Sequence, residues 1–374
     1  MYFFCDSSFE KRKTATGVIR GLLYQLVKQY PALLKYVLPQ YHERGADLFT
    51  SFDALWTIFM NAVADTATGQ KYCIIDALDE CDQESQNTLL RQFQESFDPK
   101  SSSGHTLSIR MLITSRPYPE IREYLGGFAK KDLASFPEAV LDIRKFIESK
   151  MADLQQRKSY TDKVKEKAAQ LLETKAEGTF LWVGMACKEL DPVASKDAVK
   201  ILEDLPRGLL QLYGDLLNKA FKLEGKRQTI ERILNVVAVS LRPLTILELA
   251  EACQLHQGQE EKERVQFTIE EVESCRMLVV VQDTTVVLLH QSVKDFLFEY
   301  DIKQLEAHAN LAYRCIEYLS TQFHLEEDDL ASDRFLSYST DFWPEHAKRA
   351  DYVFHVKDAQ AEFFSLDSKY LEAW

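Results

Sequence analysis

CIIDALDEC, residues 73–81, is the stretch whose reading decides the fold. A short apolar run, Cys73-Ile74-Ile75, ends in Asp76, and Asp79 and Glu80 follow within one turn of chain. This is the shape of a Walker B segment. A buried strand delivers carboxylates to its exposed C-terminal end, where they hold hydrated Mg²⁺ beside nucleotide phosphates and orient an attacking water. Taken alone, the same residues fit equally well an apolar strand followed by an acidic helix N-terminus, which the helix dipole favours in any case. The usual partner of the motif is a phosphate-cradling loop, G-x-x-x-x-G-K-[ST]. None of the 13 glycines of the chain sits in one.

Outward from that strand, the first third alternates strand and helix. YFFC, residues 2–5, reads as a short buried strand. Residues 13–29 place Val18, Leu22, Leu23 and Leu26 near the helical period. Residues 51–65 align Phe52, Leu55, Trp56, Phe59, Met60 and Val63 on one face, with Ser51 as the N-cap. A helix near 84–97 and a polar SSSG loop at 101–104 lead to the strand LSIRMLI, 107–113, which ends in Thr114, Ser115, Arg116 and Pro117. Such alternation implies a parallel sheet with its ligand edge at the strand C-termini. Asp76 and Thr114 are therefore expected on one rim. A strand beginning at residue 2 also leads to the expectation that the chain starts inside a domain.

From about residue 140 the pattern is helical, with candidates at 142–154, 160–175, 178–190 and 206–222. Two more helices surround a turn at Arg242 and Pro243 within 228–254, and another lies near 268–276. MLVVVQDTTVVLLH, 277–290, differs: two β-branched halves flank Asp283 and Thr284, which predicts a hairpin pairing 277–281 with 286–290. SVKDFLF then returns to helix, completing a winged-helix pattern. The remainder, 301–374, reads as helical and carries Trp343, Phe363, Phe364 and Trp374. The fold class is thus α/β then mostly α: a truncated P-loop-type sheet, a helical domain, a winged helix and a helical C-terminal segment. The expected boundaries are 1–135, 136–225, 226–300 and 301–374.

Composition sets limits on function. A hydrophobic fraction of 46% with 28% charged residues fits a folded globular chain. A net charge of −13 without a long basic run argues against general binding of nucleic acid or anionic membranes. Residues 226–300 carry 8 Lys or Arg against 12 Asp or Glu, so the winged helix reads as a packing module, not a DNA reader. The seven cysteines form no C-x-x-C pair, which suits reduced, buried thiols and a cytoplasmic location. No apolar run is long enough to span a membrane, and MYFFCDSS turns polar too soon for a signal peptide. The 8 histidines lack metal-ligand spacing.

Seven strings in order carry a resemblance: YFFCDSSFEKRKTATGVIRGLLYQLV, CIIDALDEC, MLITSRPYPEI, DIRKFIESKM, EGTFLWVGMACKEL, LPRGLLQLY and LLHQSVKDFL. Together they resemble fungal NACHT-type STAND proteins, relatives of NOD-like receptors that include heterokaryon-incompatibility proteins. The resemblance spans roughly residues 1–350, and YSTDFWPEHAKRA, 337–349, is similar to the helical segment that often precedes ankyrin repeats. It implies an ATP- or ADP-binding signalling switch with Mg²⁺ as cofactor, whose partners are proteins, with self-association among the outcomes. Against that pattern the chain looks like a core cut at both ends.

Residue by residue, the resemblance implies Asp76 as the metal carboxylate, acting through a bound water. It implies Glu80 as the group that positions the hydrolytic water, with Asp79 supporting it. Arg116 resembles the arginine that reaches a γ-phosphate from the neighbouring strand end, a role suited to its planar fork of donors. Read without the resemblance, it is a surface arginine before a proline turn. His290 resembles the winged-helix histidine that touches an ADP β-phosphate, but Leu289-His290-Gln291 departs from the family's Met-His-Asp, and a structural hydrogen-bonding role is the stronger expectation. Phe180, Leu181 and Trp182, after Gly178-Thr179, are expected in the core. Ser292 lies near His290, but no third group or oxyanion element accompanies the pair, which excludes a hydrolase triad. Three readings stay open: a STAND remnant defective in ATP hydrolysis, a nucleotide-independent adaptor, and a non-functional gene fragment.

Overall fold

The structure, a computed structural model, describes residues 1–7, 9–97, 109–133, 137–322 and 335–365. The SSSG loop, the first two residues of the strand expected at 107–113, residues 323–334 and Trp374 lie outside the described residues. The chain divides into two compact units, Met1–Lys131 and Asp132–Trp374.

The first unit is built on three strands, β1 (Tyr2–Phe4), β2 (Lys71–Asp76) and β3 (Ile109–Ile113). They lie in the order β1-β2-β3, and both pairs are parallel. Phe4 pairs with Asp76, and Ile75 with Ile113, so all three strands end level on one edge. Three amphipathic helices cover one face. Ala15–Gln29 begins at Thr14, whose hydroxyl accepts from the Gly17 N–H, and buries Val18, Ile19, Leu22 and Leu26. Phe52–Ala64 is capped by Ser51, as expected, and buries Leu55, Ile58, Phe59 and Val63. Gln83–Phe97 contributes Leu89, Leu90 and Phe93. Cys73 and Ile75 of β2 point into this core. The alternate residues face solvent: Tyr2 and Phe4 are each 56% exposed, Tyr72 61%, Ile74 42% and Leu112 58%. The helix Leu34–Arg44 was not legible in the sequence because it buries no side chain and carries Pro39 inside it.

In the second unit the helices Pro137–Lys158, Asp162–Lys175, Phe180–Glu189 and Leu209–Phe221 correspond to the four candidates, the first being longer at both ends than the expected 142–154. Trp182 is fully buried, but Phe180 is 45% exposed. The expectation of Phe180 in the core is therefore corrected. It opens its helix at the surface and packs edge-on against Phe146, ring centroids 5.5 Å apart.

The winged helix runs from Arg227–Val239 through the turn at Arg242 and Pro243 to Ile246–Ala252 and Glu261–Ser274. Glu261–Ser274 starts earlier than the expected 268. Its first turns bury Arg264 and Thr268 in place of apolar residues, so no hydrophobic period announces it. The hairpin is β5 (Val279–Gln282) with β6 (Thr285–Leu288), Val280 opposite Val287. It is centred on Asp283 and Thr284 as expected, with Asp283 in the left-handed region that a two-residue hairpin turn requires. A third strand, β4 (Leu244–Thr245), pairs antiparallel with β6 and was not expected from sequence. Thr245 and Glu248 form a capping box at the next helix, and Glu248 also receives both arms of the Arg242 guanidinium at 2.6 and 2.8 Å. Gln291–Tyr300 follows the hairpin and buries Val293, Phe296 and Leu297. Two further helices, Gln304–Gln322 and Leu336–Arg349, close the described fold. Among the described residues, no helix is long and apolar enough to cross a membrane.

Candidate functional site

The C-terminal edge of the first unit's sheet gathers Asp76, Asp79, Glu80 and Arg116. The local chain path explains how. β2 ends at Asp76, and Ala77 takes φ 54° and ψ 51°, a left-handed conformation that costs a residue with a Cβ about 1 kcal/mol. That reversal starts the 3₁₀ turn Leu78–Glu80 and drives Leu78 into the core. The turn folds towards the end of β3 and is pinned there by Thr114. Its N–H reaches the Ile75 carbonyl at 2.9 Å, and its carbonyl accepts from the Leu78 N–H at 3.0 Å.

Thr114 does more than continue the ladder. Its hydroxyl donates to Asp76 Oδ1 at 2.6 Å and accepts from the Ala77 N–H at 2.9 Å. One side chain thereby fixes the Asp76 carboxylate and the left-handed peptide behind it. Asp79 turns inward, with its side chain 7% exposed, and ties the two strand ends together. Its Oδ1 accepts from the Ser115 hydroxyl at 3.2 Å and the Arg116 N–H at 3.0 Å, while its Oδ2 lies 3.4 Å from Arg116 Nε. Arg116 also donates to the Tyr118 hydroxyl at 3.1 Å.

Glu80 is held by the Ser7 N–H at 3.1 Å, from the loop after β1. Burial pushes its carboxyl above the ordinary carboxylate range. The Ser7 N–H and Arg116 oppose that shift, and the charges of Asp6 and Asp79 reinforce it. Below the rim, Cys5 and Cys81 are buried with their sulfurs 3.5 Å apart. The contact with Cys5, then burial, raises the Cys81 thiol far out of the range in which it ionises. All seven cysteines are free and buried.

The donor set limits what the rim could hold. Thr114 occupies one oxygen of Asp76, Arg116 and Ser115 engage both oxygens of Asp79, and Ser7 occupies one oxygen of Glu80. Among the described residues, no group of three or more His, Cys, Asp or Glu side chains could hold a metal ion by itself. The donor chemistry of Asp76, whose Oδ1 is taken by Thr114, suits a hydrated Mg²⁺ carried by phosphates, since Mg²⁺ keeps its waters and needs only one or two carboxylates.

His290 belongs to the second unit and closes the hairpin as the N-cap of Gln291–Tyr300. Its Nδ1 accepts from the Ser292 N–H at 3.1 Å and contacts Ser292 Oγ at 2.7 Å. Ser292 Oγ in turn meets the Tyr213 hydroxyl at 2.8 Å. This is the structural hydrogen-bonding role expected of it. Sequence reasoning missed Thr114 and Ser115 as the residues that orient the carboxylates. The polar string TSRP was the available signal, but which side chain meets which aspartate depends on the reversal at Ala77.

Comparison with known proteins agrees with this architecture. Residues 1–116 match the family described as nephrocystin 3, N-terminal, which is NACHT-related. Residues 217–310 match the GPI inositol-deacylase winged helix domain. The chain is 31% identical over 306 residues to the vegetative incompatibility protein HET-E-1 of Podospora anserina, which covers 79% of this chain. The chain spans only 22% of that protein's length. The resemblance to fungal NACHT-type STAND proteins, read from seven strings of sequence, therefore holds, with the sheet unit and the winged helix in the expected order.

Proposed function

We propose that this chain is the switch core of a STAND-type signalling NTPase that acts in nonself recognition or programmed cell death. The carrying observation is the convergence of Asp76, Asp79, Glu80 and Arg116 at one sheet edge, in a chain 31% identical to an incompatibility protein. In this reading ATP or ADP with Mg²⁺ is the family ligand. Asp76 would hold the metal through a water, Glu80 would orient the attacking water with Asp79 supporting it, and Arg116 would meet the γ-phosphate. The resemblance would give His290 an ADP β-phosphate contact, but its engagement with Ser292 favours the structural role. The working boundaries are 1–135, 136–225, 226–300 and 301–374. The partners are proteins, copies of the chain included, and not nucleic acid, and the setting is the cytoplasm.

The 374 residues contain no G-x-x-x-x-G-K-[ST]. That loop provides the backbone N–H cradle, the lysine and a Mg²⁺ ligand. Carboxylates alone add negative charge beside a triphosphate. Residues 1–374 by themselves are therefore expected to bind nucleotide weakly and hydrolyse it at background rate. A second reading, a nucleotide-independent adaptor, draws support from the Arg116–Asp79 pair, which gives the arginine a structural partner within the rim. The test is ATPase rate and Mg²⁺–ATP affinity of residues 1–374, with Asp76→Ala and Glu80→Gln alongside. Background signals in all three agree with a chain defective in hydrolysis and leave the adaptor and fragment readings standing. Robust turnover abolished in both variants would overturn it and restore a working NTPase.

A further inference from the structure

The helices Gln304–Gln322 and Leu336–Arg349 are joined by a buried polar chain that the switch reading does not use. His308 is 2% exposed and His346 0%, and their Nδ1 atoms face one another at 2.8 Å. The other nitrogen of His346, Nε2, lies 2.8 Å from the Tyr338 hydroxyl, and that hydroxyl accepts from the Leu241 N–H at 3.1 Å. The chain thus runs from the end of the first winged-helix helix, through one terminal helix, to the other.

Two imidazole nitrogens at hydrogen-bond distance share one proton when both rings are neutral. With the Tyr338 hydroxyl accepting from Leu241 and donating to His346 Nε2, His346 keeps its proton on Nδ1. A further proton on His308 Nδ1 then sets two N–H donors against each other unless His346 moves its proton to Nε2 and the Tyr338 hydroxyl gives up that donation, so the chain of bonds does not survive as it stands. Among the described residues no carboxylate is hydrogen-bonded to the pair, and the charge of Glu345 opposes the lowering of His308 without overcoming it. From its own helix, His346 has Arg349, with Glu345 engaged by that arginine at 2.7 Å. On the helix Gln291–Tyr300, the charge of Lys294 acts against protonation of His308. On the Tyr338 side stand the Arg242 guanidinium, 5.0 Å from the ring centre, the buried Cys315 thiol and the Ser240 hydroxyl. The surroundings are predominantly cationic and apolar, and so oppose a second proton.

We propose that the His308–His346 pair is a proton-operated clasp: at neutral pH it fastens the helix Leu336–Arg349 to the helix Gln304–Gln322, and mild acid opens it. Burial, assisted by Arg349 and Lys294, pushes His308 down to about 4, and burial with His308 itself pushes His346 well below the ordinary range. Both groups are depressed in the closed form, so the open form binds more protons below the ordinary histidine value. Stability of the joint is then full above about pH 6.5 and is lost as pH falls towards the closed-form value. For His308 alone, moving from 6.5 when open to about 4 when closed raises the opening equilibrium roughly thirtyfold between pH 8 and pH 5.

The experiment is amide hydrogen exchange over residues 336–349 in the full chain at pH 8 and pH 5, corrected for intrinsic exchange, with residues 227–239 as internal control. The expected result is opening of 336–349 increased by at least about thirtyfold at pH 5. In His308→Asn, which keeps a polar atom near the Nδ1 position and does not titrate, the response should fall by about that factor. An unchanged response in the variant, or none in the parent chain, overturns the clasp. Ring titration of the unmodified chain by NMR gives a second readout that does not depend on the variant folding. Rings that remain neutral to below pH 5 until the helix opens agree with the clasp, and rings that ionise near 6.5 with the helix still protected overturn it.

Discussion

Replacing Thr114 by Val tests how the rim is held together. The two side chains are nearly the same shape, so the substitution removes the hydroxyl and little else. In the native fold that hydroxyl donates to Asp76 Oδ1 at 2.6 Å and accepts from the Ala77 N–H at 2.9 Å. A hydrogen bond to a charged group contributes about 1.5–3 kcal/mol and a neutral one about 1 kcal/mol. Both lie in a half-buried place, where water can replace part of what is lost. The expected destabilisation of the first unit is therefore roughly 2 kcal/mol. Because Ala77 is left-handed and depends on that bond, the turn Leu78–Glu80 should loosen with it. Urea unfolding can be followed through Trp56, buried in the first unit's core, after the other three tryptophans are changed to Phe. The second unit, followed separately, should not respond. A loss under about 0.5 kcal/mol, the range of ordinary surface changes, would refute the idea that Thr114 organises this edge.

Two further outcomes follow from other groups. Glu80→Gln should raise the unfolding midpoint of the first unit at pH 8 and confer less advantage at pH 4. The native Glu80 carboxyl is raised, so its contribution is fully present below the ordinary carboxylate range near 4.5 and is lost as pH rises through the native value. Equal midpoint shifts at both pH values would contradict the burial argument. Glu248→Ala should destabilise the winged helix by roughly 2–3 kcal/mol, because it removes the cap on Thr245 and leaves the partly buried Arg242 guanidinium without its carboxylate. Thermal unfolding of the second unit reads this directly, and Glu248→Gln should recover part of the loss.

How much of this was legible in sequence varies with the physical source of each feature. The three parallel strands and their common edge were readable because each is an apolar run ending in polar residues. The hairpin was readable because β-branched halves flank Asp283 and Thr284, although its strands are shorter than the composition suggested. The longer helices that bury an apolar stripe were found, whereas the two-turn Ala198–Asp204, which buries Ala198 and Leu202, is too short to show a period. Leu34–Arg44, which buries none, and the first turns of Glu261–Ser274, which bury Arg264, were not found. The four rim residues were named from the strings CIIDALDEC and TSRP. The engagement of Asp79 with Arg116 was invisible, because it depends on a backbone reversal at an alanine, a residue that does not advertise left-handed conformations. His308 and His346 are 38 residues apart, and only the packing of two helices reveals them as a pair.

The uncovered face of the sheet has a colloidal consequence. Copies of a chain with net charge −13 repel one another in dilute salt, while Tyr2, Phe4, Tyr72, Ile74 and Leu112, with the exposed Arg110 among them, offer a largely apolar strip that water solvates poorly. Repulsion between the copies reaches about 10 Å at 0.1 M salt and about 3 Å at 1 M, whereas the attraction of the strip does not weaken. Solubility is then set by a contest that ionic strength decides. Each addition of salt removes what keeps the strips of neighbouring copies apart.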